Sequence, residues 1–244
     1  MDIGAIVIQV VVKNVLTMCA KPVSVVTKKM IFKHEKFILD LNAATKAKLY
    51  SENKLVFMGD GYKAILILIN SSSNPEPVKN KFKAQLKVSL AARSLKVQLT
   101  VENTGHQTLS FTGALHTYFD VSHIDQVSLH GQAHQSEWDA VSDTHQACLG
   151  QLTFKTEFDR VYDVAPEKQP TWVLHDGPEQ LHISQNDAWG QSVVWNPGAE
   201  KCSQLKDMPV DGYQRMLCVE AARVTSSIEV PPSQQWEAWQ QFTV

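Results

Sequence analysis

The chain has 244 residues, a formal net charge of -2 and 43% hydrophobic residues, enough to bury the core of one large β domain or two small ones. This near-neutral charge gives no reason to expect a nucleic-acid partner. No apolar stretch approaches the roughly 20 residues that span a bilayer. We therefore expect neither a nucleic-acid nor a membrane partner.

Basic, aromatic and histidine residues are unevenly distributed. Residues 1–96 contain 16 Lys and Arg against 6 Asp and Glu, whereas the rest of the chain contains 7 against 19. All six tryptophans lie at or beyond Trp138, and eight of the nine histidines lie at or beyond His106. Because the two parts differ as separate sequences would, we expect residues 1–79 to be a divergent or unrelated segment. Residues 80–244 then form the main domain.

The first 80 residues give weak structural patterns. Residues 6–12 and 64–69 are apolar enough to predict strands, residues 42–50 favour a helix by propensity, and residues 70–77 form a polar, proline-containing loop. The apolar start is more typical of a strand than of a signal peptide, because Asp2 stands where a basic residue is expected and Lys13 interrupts the run.

Beyond residue 80, apolar and polar side chains alternate in residues 82–88 and 95–101, which predicts half-buried strands. The turn sequence at 103–105 and a strand starting near Thr108 predict a hairpin. Further strands are predicted at 126–130, 171–174, 180–184, 191–195, 215–221, 225–230 and 235–244. No long amphipathic helix is predicted in this part, so the fold class is an all-β, antiparallel sandwich.

The four cysteines have neither CxxC pairing nor metal-ligand spacing. Cys218 lies in an apolar, strand-like run, which predicts a buried, reduced thiol. A reduced thiol favours a cytoplasmic setting. The histidines at 123, 130, 134 and 145 lack the HxH or HExxH spacing of metal sites, so no metal site is predicted.

His116 and Glu220 are titratable residues in apolar, strand-like runs, TGALHTYF and MLCVEAA. An imidazole and a carboxylate that face each other can exchange protons near neutral pH, as general acid–base catalysis requires. Each residue alone is open to a structural interpretation, because a lone histidine in a strand is more often a hydrogen-bonded core residue. Sequence alone does not bring the two together.

Five blocks in order resemble one family: ALHTYF at 114–119, DRVY at 159–162, VWNPG at 194–198, DMPVDGY at 207–213 and CVE at 218–220. Together they resemble the hexose-6-phosphate mutarotases, also called glucose-6-phosphate 1-epimerases, of the aldose 1-epimerase superfamily. The resemblance covers about residues 80–244. One block alone is weak, but five in register make a specific match.

The resemblance implies a galactose mutarotase-like β-supersandwich that needs no metal and no cofactor. It implies an isomerase that interconverts the α and β anomers of an aldohexose 6-phosphate such as glucose 6-phosphate. In that pattern Glu220 removes the anomeric hydroxyl proton, His116 protonates the ring oxygen and Asp159 holds a sugar hydroxyl. Asp159 is equally open to interpretation as a turn residue or as the ion-pair partner of Arg160. The implied partner is a small-molecule sugar phosphate, and we expect a monomer in the cytoplasm.

The N-terminal third departs from that family. Its members carry a GGxPxCWPWFG block preceded by arginine and an HGFAR block, whose arginines recognise the sugar phosphate. Neither block occurs here, and the first arginine of the chain is Arg93. Lys79, Lys81 and Lys83 are candidate substitutes, although a lysine lacks the bidentate fork of arginine.

Two expectations follow from this departure. The first is that the N-terminal part is unrelated sequence joined to a truncated epimerase, which would leave sheet edges uncovered unless new strands replace the missing ones. The second is an alternative function, a catalytically inactive carbohydrate-binding β-sandwich that has lost the phosphate-binding arginines.

Overall fold

The computed structural model describes residues 2–12, 31–32, 37–40, 49–58, 61–70, 82–91, 93–206 and 208–244. In the N-terminal part the strands are β1 (Asp2–Val12), β2 (Ile31–Phe32), β3 (Phe37–Asp40), β4 (Leu49–Met58) and β5 (Gly61–Asn70). The strands that follow are β6 (Phe82–Ala91), β7 (Ser94–Asn103), β8 (Leu109–Asp120), β9 (Val127–Gly131), β10 (Ser136–Asp139), β11 (Thr144–Ala147) and β12 (Gln151–Leu152). The last are β13 (Phe158–Asp163), β14 (Trp172–Asp176), β15 (Glu179–Gln185), β16 (Gln191–Asn196), β17 (Met216–Val230) and β18 (Gln235–Thr243).

Helical structure in these residues is limited to α1 (Gly198–Gln204) and two 3-10 turns, Ile124–Gln126 and Gly212–Arg215. Within this described set, no helix has the length and apolar character needed to cross a membrane. The predicted all-β class is confirmed, because the alternating patterns beyond residue 80 fold as strands.

The strands of the described residues form two nine-stranded sheets. The first sheet has the order β11-β10-β13-β16-β17-β8-β1-β3-β2, and the second has the order β12-β9-β14-β15-β18-β7-β6-β5-β4. Pairing is antiparallel, except that β1 runs parallel to β8. The two sheets pack face to face, so every second side chain of a central strand enters a shared core.

The core contains apolar residues from both sheets. In β7 the pattern of burial alternates strictly, and Leu95, Val97, Leu99 and Val101 are almost completely buried. The first sheet contributes Leu115, Leu217, Val219 and Ala221 among others to the same cluster. The intervening residues of β8 and β17, which include His116 and Glu220, therefore lie on the outer face of the first sheet.

The predicted hairpin at 103–105 is wrong. β7 already pairs with β6 on one side and β18 on the other, so β8 cannot join it and instead enters the first sheet. Asn103 forms the corner between the sheets, where its side-chain amide donates to the carbonyl oxygens of Gln107 and Val230, 2.8 Å from each. The separately predicted strands at 215–221 and 225–230 are one strand, β17, whose register shifts between Arg223 and Ile228.

Strands of the N-terminal part add to both sheets. β1 pairs with β8 in the first sheet, and β5 pairs with β6 in the second. The predicted strands at 6–12 and 64–69 lie in β1 and β5. Most of the helix predicted at 42–50 lies outside the described residues, and its last two positions begin β4.

Candidate active site

His116 and Glu220 lie side by side on the two central strands of the first sheet. The paired residues Cys218–Tyr118 and Ala221–Leu115 fix the register of β17 against β8, and this register places Glu220 opposite His116. The side chains project from the same face, and His116 Nε2 lies 3.3 Å from Glu220 Oε1. More than 100 residues separate them in sequence, so only the strand pairing brings them together.

Burial dominates the electrostatics of this pair. The side chain of Glu220 is 6% exposed and that of His116 is 24% exposed. Burial raises the pKa of Glu220 well above its usual value, and the nearby charge of Asp159 raises it further. Burial lowers the pKa of His116 to about 4. A carboxylate beside an imidazole favours the imidazolium, but desolvation outweighs that attraction here, so at neutral pH the imidazole is neutral in the free site.

Asp159 lies on the same face, two strands from Glu220. It pairs with Trp195 of β16, and Trp195 pairs with Cys218 of β17, so these three positions form a row across the sheet. Asp159 is half-buried, which raises its pKa, while the charge of Lys201 acts in the opposite direction. The alternative that Asp159 is the ion-pair partner of Arg160 is wrong.

Arg160 points to the other face of β13. Its guanidinium lies 2.8 Å from the carboxylate of Glu137 and 3.2 Å from that of Asp139. Adjacent residues of a strand project to opposite faces, so Arg160 cannot turn to Asp159 without leaving this network. The carboxylate of Asp159 is therefore left facing the same side of the sheet as Glu220.

Aromatic rings surround the imidazole. The ring of Tyr118 stacks on His116 with centroids 4.6 Å apart, and the ring of Trp195 meets His116 edge-on at 6.0 Å. Sequence reasoning did not single out Tyr118. Its position two residues after His116 in a strand was the available signal, because i and i+2 share a face.

The core side of the two site strands is tied to the second sheet. Thr117, next to His116, donates its hydroxyl to Gln240 Oε1 of β18 at 2.7 Å. The amide of Gln240 donates to the carbonyl oxygen of Val219, next to Glu220, at 3.0 Å. Thr117 and Gln240 are fully buried, so these hydrogen bonds are shielded from water and restrain both strands on the core side of the sheet.

The NPG sequence at 196–198 supports the site structurally. The side-chain amide of buried Asn196 donates to the carbonyl oxygens of Tyr213 and Met216, at 2.8 Å each, and its oxygen accepts from the N–H of Gly198. Gly198 has a φ of +63°, and an added Cβ would lie 2.6 Å from the backbone nitrogen of Glu157. Asn196 thereby fixes the start of α1 and the segment that leads into β17.

Of the three proposed lysine substitutes for the family arginines, the structure describes one, Lys83, and does not bring it to this face. Lys83 lies on β6 in the second sheet, on the other side of the sandwich. Lys79 and Lys81 lie outside the described residues. On the side away from β17, β8 pairs with β1, whose sequence DIGAIVIQVVV contains no lysine or arginine. Lys201 of α1 is the cation whose charge acts on Asp159, and it is also paired with Glu157.

One group of side chains has the composition of a metal site. The potential ligand atoms of His116, Cys218 and Glu220 all lie within 4.8 Å of one another. The spacing rules applied to the sequence could not detect this group, because one of its members comes from a distant strand. The four histidines considered for metal binding from the sequence are not part of it.

Comparison with known proteins identifies the family of this chain. The family model for aldose 1-epimerase matches residues 60–243, most of the chain. The chain therefore belongs to the aldose 1-epimerase family, and the resemblance predicted from the five sequence blocks is confirmed.

Two curated relatives share part of their length with this chain. A protein of Cenchrus ciliaris, provisionally named a glucose-6-phosphate 1-epimerase, is 30% identical over 164 residues, which cover 64% of this chain and 49% of the relative. A protein of Escherichia coli K12 with the same provisional name is 34% identical over 133 residues, 53% of this chain and 44% of the relative. The chain spans about half the length of these relatives.

Solved structures show the same fold. A provisionally assigned mutarotase, YeaD of Salmonella typhimurium, superposes with a TM-score of 0.69 at 23% identity, covering 80% of this chain and 64% of that one. A provisionally assigned aldose 1-epimerase of Escherichia coli K12 gives a TM-score of 0.58 at 14% identity, covering 90% and 79%. The predicted galactose mutarotase-like sandwich is confirmed.

Proposed function

We propose that this protein interconverts the α and β anomers of an aldohexose, with the 6-phosphate as the preferred form. The observation that carries the proposal is the 3.3 Å contact between His116 and Glu220 on the outer face of the central strands. Membership of the aldose 1-epimerase family supports anomer interconversion. The preference for a phosphorylated hexose rests on the provisional names of the relatives.

In the proposed reaction, the Glu220 carboxylate removes the proton of the anomeric hydroxyl while His116 Nε2 donates a proton to the ring oxygen. The bond between C1 and the ring oxygen breaks, and the sugar opens to the free aldehyde. C1 then rotates about its bond to C2, and the ring closes on the other face. During closure His116 takes back the proton from the attacking hydroxyl and Glu220 returns its proton to the new anomeric oxygen, so no proton is gained or lost.

The two pKa shifts suit a pair that shares one proton. Burial opposes charge on both side chains, so the free site favours a protonated carboxyl beside a neutral imidazole. Transfer of that proton to Nε2 gives the ion pair that acts on the sugar, without any change in the net charge of the site. Such positioned proton transfer contributes about 10²–10⁴-fold to a rate.

Neighbouring side chains supply the means to hold a pyranose. We propose that Asp159 accepts a hydrogen bond from a sugar hydroxyl, since its carboxylate faces the site and is not taken by Arg160. Trp195 offers an aromatic surface for the apolar face of the ring, because its side chain is half-buried beside His116 and keeps part of its surface accessible. Lys201 is our candidate for contact with the phosphate, as its charge acts on Asp159.

The direct test is exchange NMR of the anomeric protons of glucose 6-phosphate, which reports interconversion at equilibrium. The protein should accelerate exchange over buffer, and Glu220→Gln should lose that acceleration. Glu179→Gln, which changes an exposed carboxylate of β15 in the second sheet, is the matched control and should keep it. Equal rates for Glu220→Gln and the unmodified protein would refute the assignment of the base.

The same assay tests the phosphate preference. Glucose and glucose 6-phosphate are compared, and we expect a lower KM for the phosphorylated sugar. Lys201→Met should raise the KM for glucose 6-phosphate and leave that for glucose unchanged. If both sugars exchange equally well, the protein is an aldohexose epimerase without phosphate recognition.

A second candidate is a carbohydrate-binding sandwich without catalysis. It is favoured by the absence of arginine from residues 1–92, the part of the chain in which the resemblance places the phosphate-binding arginines. Calorimetry would then detect sugar binding by a protein that leaves the exchange rate at its value in buffer. Accelerated exchange would exclude this candidate.

A further inference from the structure

The outer face of the first sheet holds a third group that could bind a ligand beside the proposed acid and base. Cys218 and Glu220 are two residues apart on β17 and so share a face, while His116 is opposite on β8. Their ligand atoms, a thiol sulfur, a carboxylate oxygen and an imidazole nitrogen, all lie within 4.8 Å of one another. The proposed anomer interconversion makes no use of the thiol.

We propose that His116, Cys218 and Glu220 form a binding site for Zn²⁺ and that the metal is a reversible inhibitor of this protein. Cysteine, histidine and glutamate are ordinary zinc ligands, and three protein ligands with a water in the fourth position is a common arrangement. With bonds of about 2.0–2.3 Å, tetrahedral ligand atoms stand about 3.3–3.8 Å apart. Side-chain movements of about 1 Å would therefore bring the three ligand atoms to bonding distance from the ion.

Charge and access both suit a cation. Besides the carboxylate of Glu220, the charge of Asp159 acts on the side chains of Cys218 and Glu220. Cys218 is fully buried, but the side chain of His116 is 24% exposed and gives the ion an approach from solvent. The metal takes the place of two protons, that of the thiol and the one shared by Glu220 and His116, both of which are released to the buffer, and no oxidant or reductant is needed.

Inhibition follows from the atoms that the metal would occupy. Zinc on His116 Nε2 and on the Glu220 carboxylate would use the lone pairs that the proposed reaction needs for proton transfer. This consequence rests on the proposed function, whereas binding of the metal does not. A sugar in the site should compete with the ion.

The test uses Co²⁺ as a spectroscopic probe and Zn²⁺ as its competitor, with the full chain in metal-free buffer. Co²⁺ should produce a thiolate-to-cobalt absorption band at one equivalent, and Zn²⁺ should abolish that band. Cys218→Ala should lose the band and weaken Zn²⁺ binding by about 100-fold or more, since even changes outside the ligand shell cost 10–100-fold. Cys148→Ala is the matched control, because Cys148 is equally buried but lies away from the site, after β11.

The outcomes separate the metal site from the proposed function. If the unmodified protein gives no band, or if the band persists in Cys218→Ala, the site is refuted. If Cys218→Ala does not fold, His116→Gln serves as the second variant and should bind Zn²⁺ as weakly. A cobalt band in a protein that does not accelerate anomer exchange in metal-free buffer supports the metal site and refutes the proposed function. Anomer exchange that Zn²⁺ does not slow supports the proposed function and refutes the inhibitory metal site. Where both hold, Zn²⁺ should stop exchange, EDTA should restore it, and Cys218→Ala should remain active in the same zinc concentration.

Discussion

Replacing Glu220 with glutamine should abolish the proposed activity without a loss of stability. Glu220 is 5% exposed, and His116 lies 3.3 Å from its carboxylate. Glutamine has nearly the same shape, and its amide can donate to the neutral imidazole across the same contact. The substitution therefore removes the base while it preserves the packing.

The expected loss of activity follows from the role of a general base. Positioned proton transfer contributes about 10²–10⁴-fold. At about 1.36 kcal/mol for each tenfold change, this loss raises the barrier by about 3–5 kcal/mol. The rate in buffer sets the lower limit of what exchange NMR can record, so the variant should be indistinguishable from buffer.

The effect on stability depends on pH. Because the pKa of Glu220 is raised in the folded state, the folded protein keeps a proton that the unfolded chain loses above its ordinary value of 4.5. The free energy of unfolding therefore decreases as the pH rises above about 4.5. Glutamine does not titrate, so Glu220→Gln should melt at a higher temperature than the unmodified protein at pH 8, with a difference that shrinks toward pH 4.5.

Thermal melts and exchange NMR on the same samples check both expectations. Each kcal/mol should move the melting temperature by about 2–4 °C for a chain of this size. A variant that melts lower at pH 8 than the unmodified protein would contradict the argument that Glu220 is held in an unfavourable, buried environment. A variant with full activity would contradict its role as the base.

Three further substitutions test the surroundings. Asp159→Asn should raise the KM, because a hydroxyl acceptor is weakened, and should move the alkaline limb of the pH–rate profile to lower pH, because the shared proton is lost more readily once a charge that raises the pKa of Glu220 is gone; an unchanged profile would contradict this. Glu137→Gln should lower the free energy of unfolding in urea by about 1–3 kcal/mol. This is less than the roughly 3–5 kcal/mol lost when a buried ion pair is fully broken, because Arg160 keeps its contact with Asp139, and kcat in exchange NMR should be unchanged. Asn196→Ala should lower the free energy of unfolding by about 2–4 kcal/mol in the same measurement, because the carbonyl groups of Tyr213 and Met216 lose their donor. A loss under about 1 kcal/mol would contradict the structural role of Asn196.

The sequence predicted individual strands better than their partners. The alternation in residues 82–88 and 95–101 identified β6 and β7, because burial of one face imposes a period of two. The turn at 103–105 suggested a hairpin, yet β8 joins the other sheet. Pairing depends on which strand edges are already taken, and β18, more than 130 residues after β7, takes the edge that β8 would need.

For the candidate site as well, the sequence identified individual residues, and the tertiary structure decided their contacts. Sequence alone identified His116, Glu220 and Asp159 as candidates, since a titratable residue in an apolar run and five blocks in family order are visible without coordinates. Their contact, the stack of Tyr118 on His116 and the proximity of Cys218 were decided by the register of β8 against β17. Register is a property of two distant segments, and burial, which moves the pKa of His116 down and that of Glu220 up, exists only once both sheets have packed.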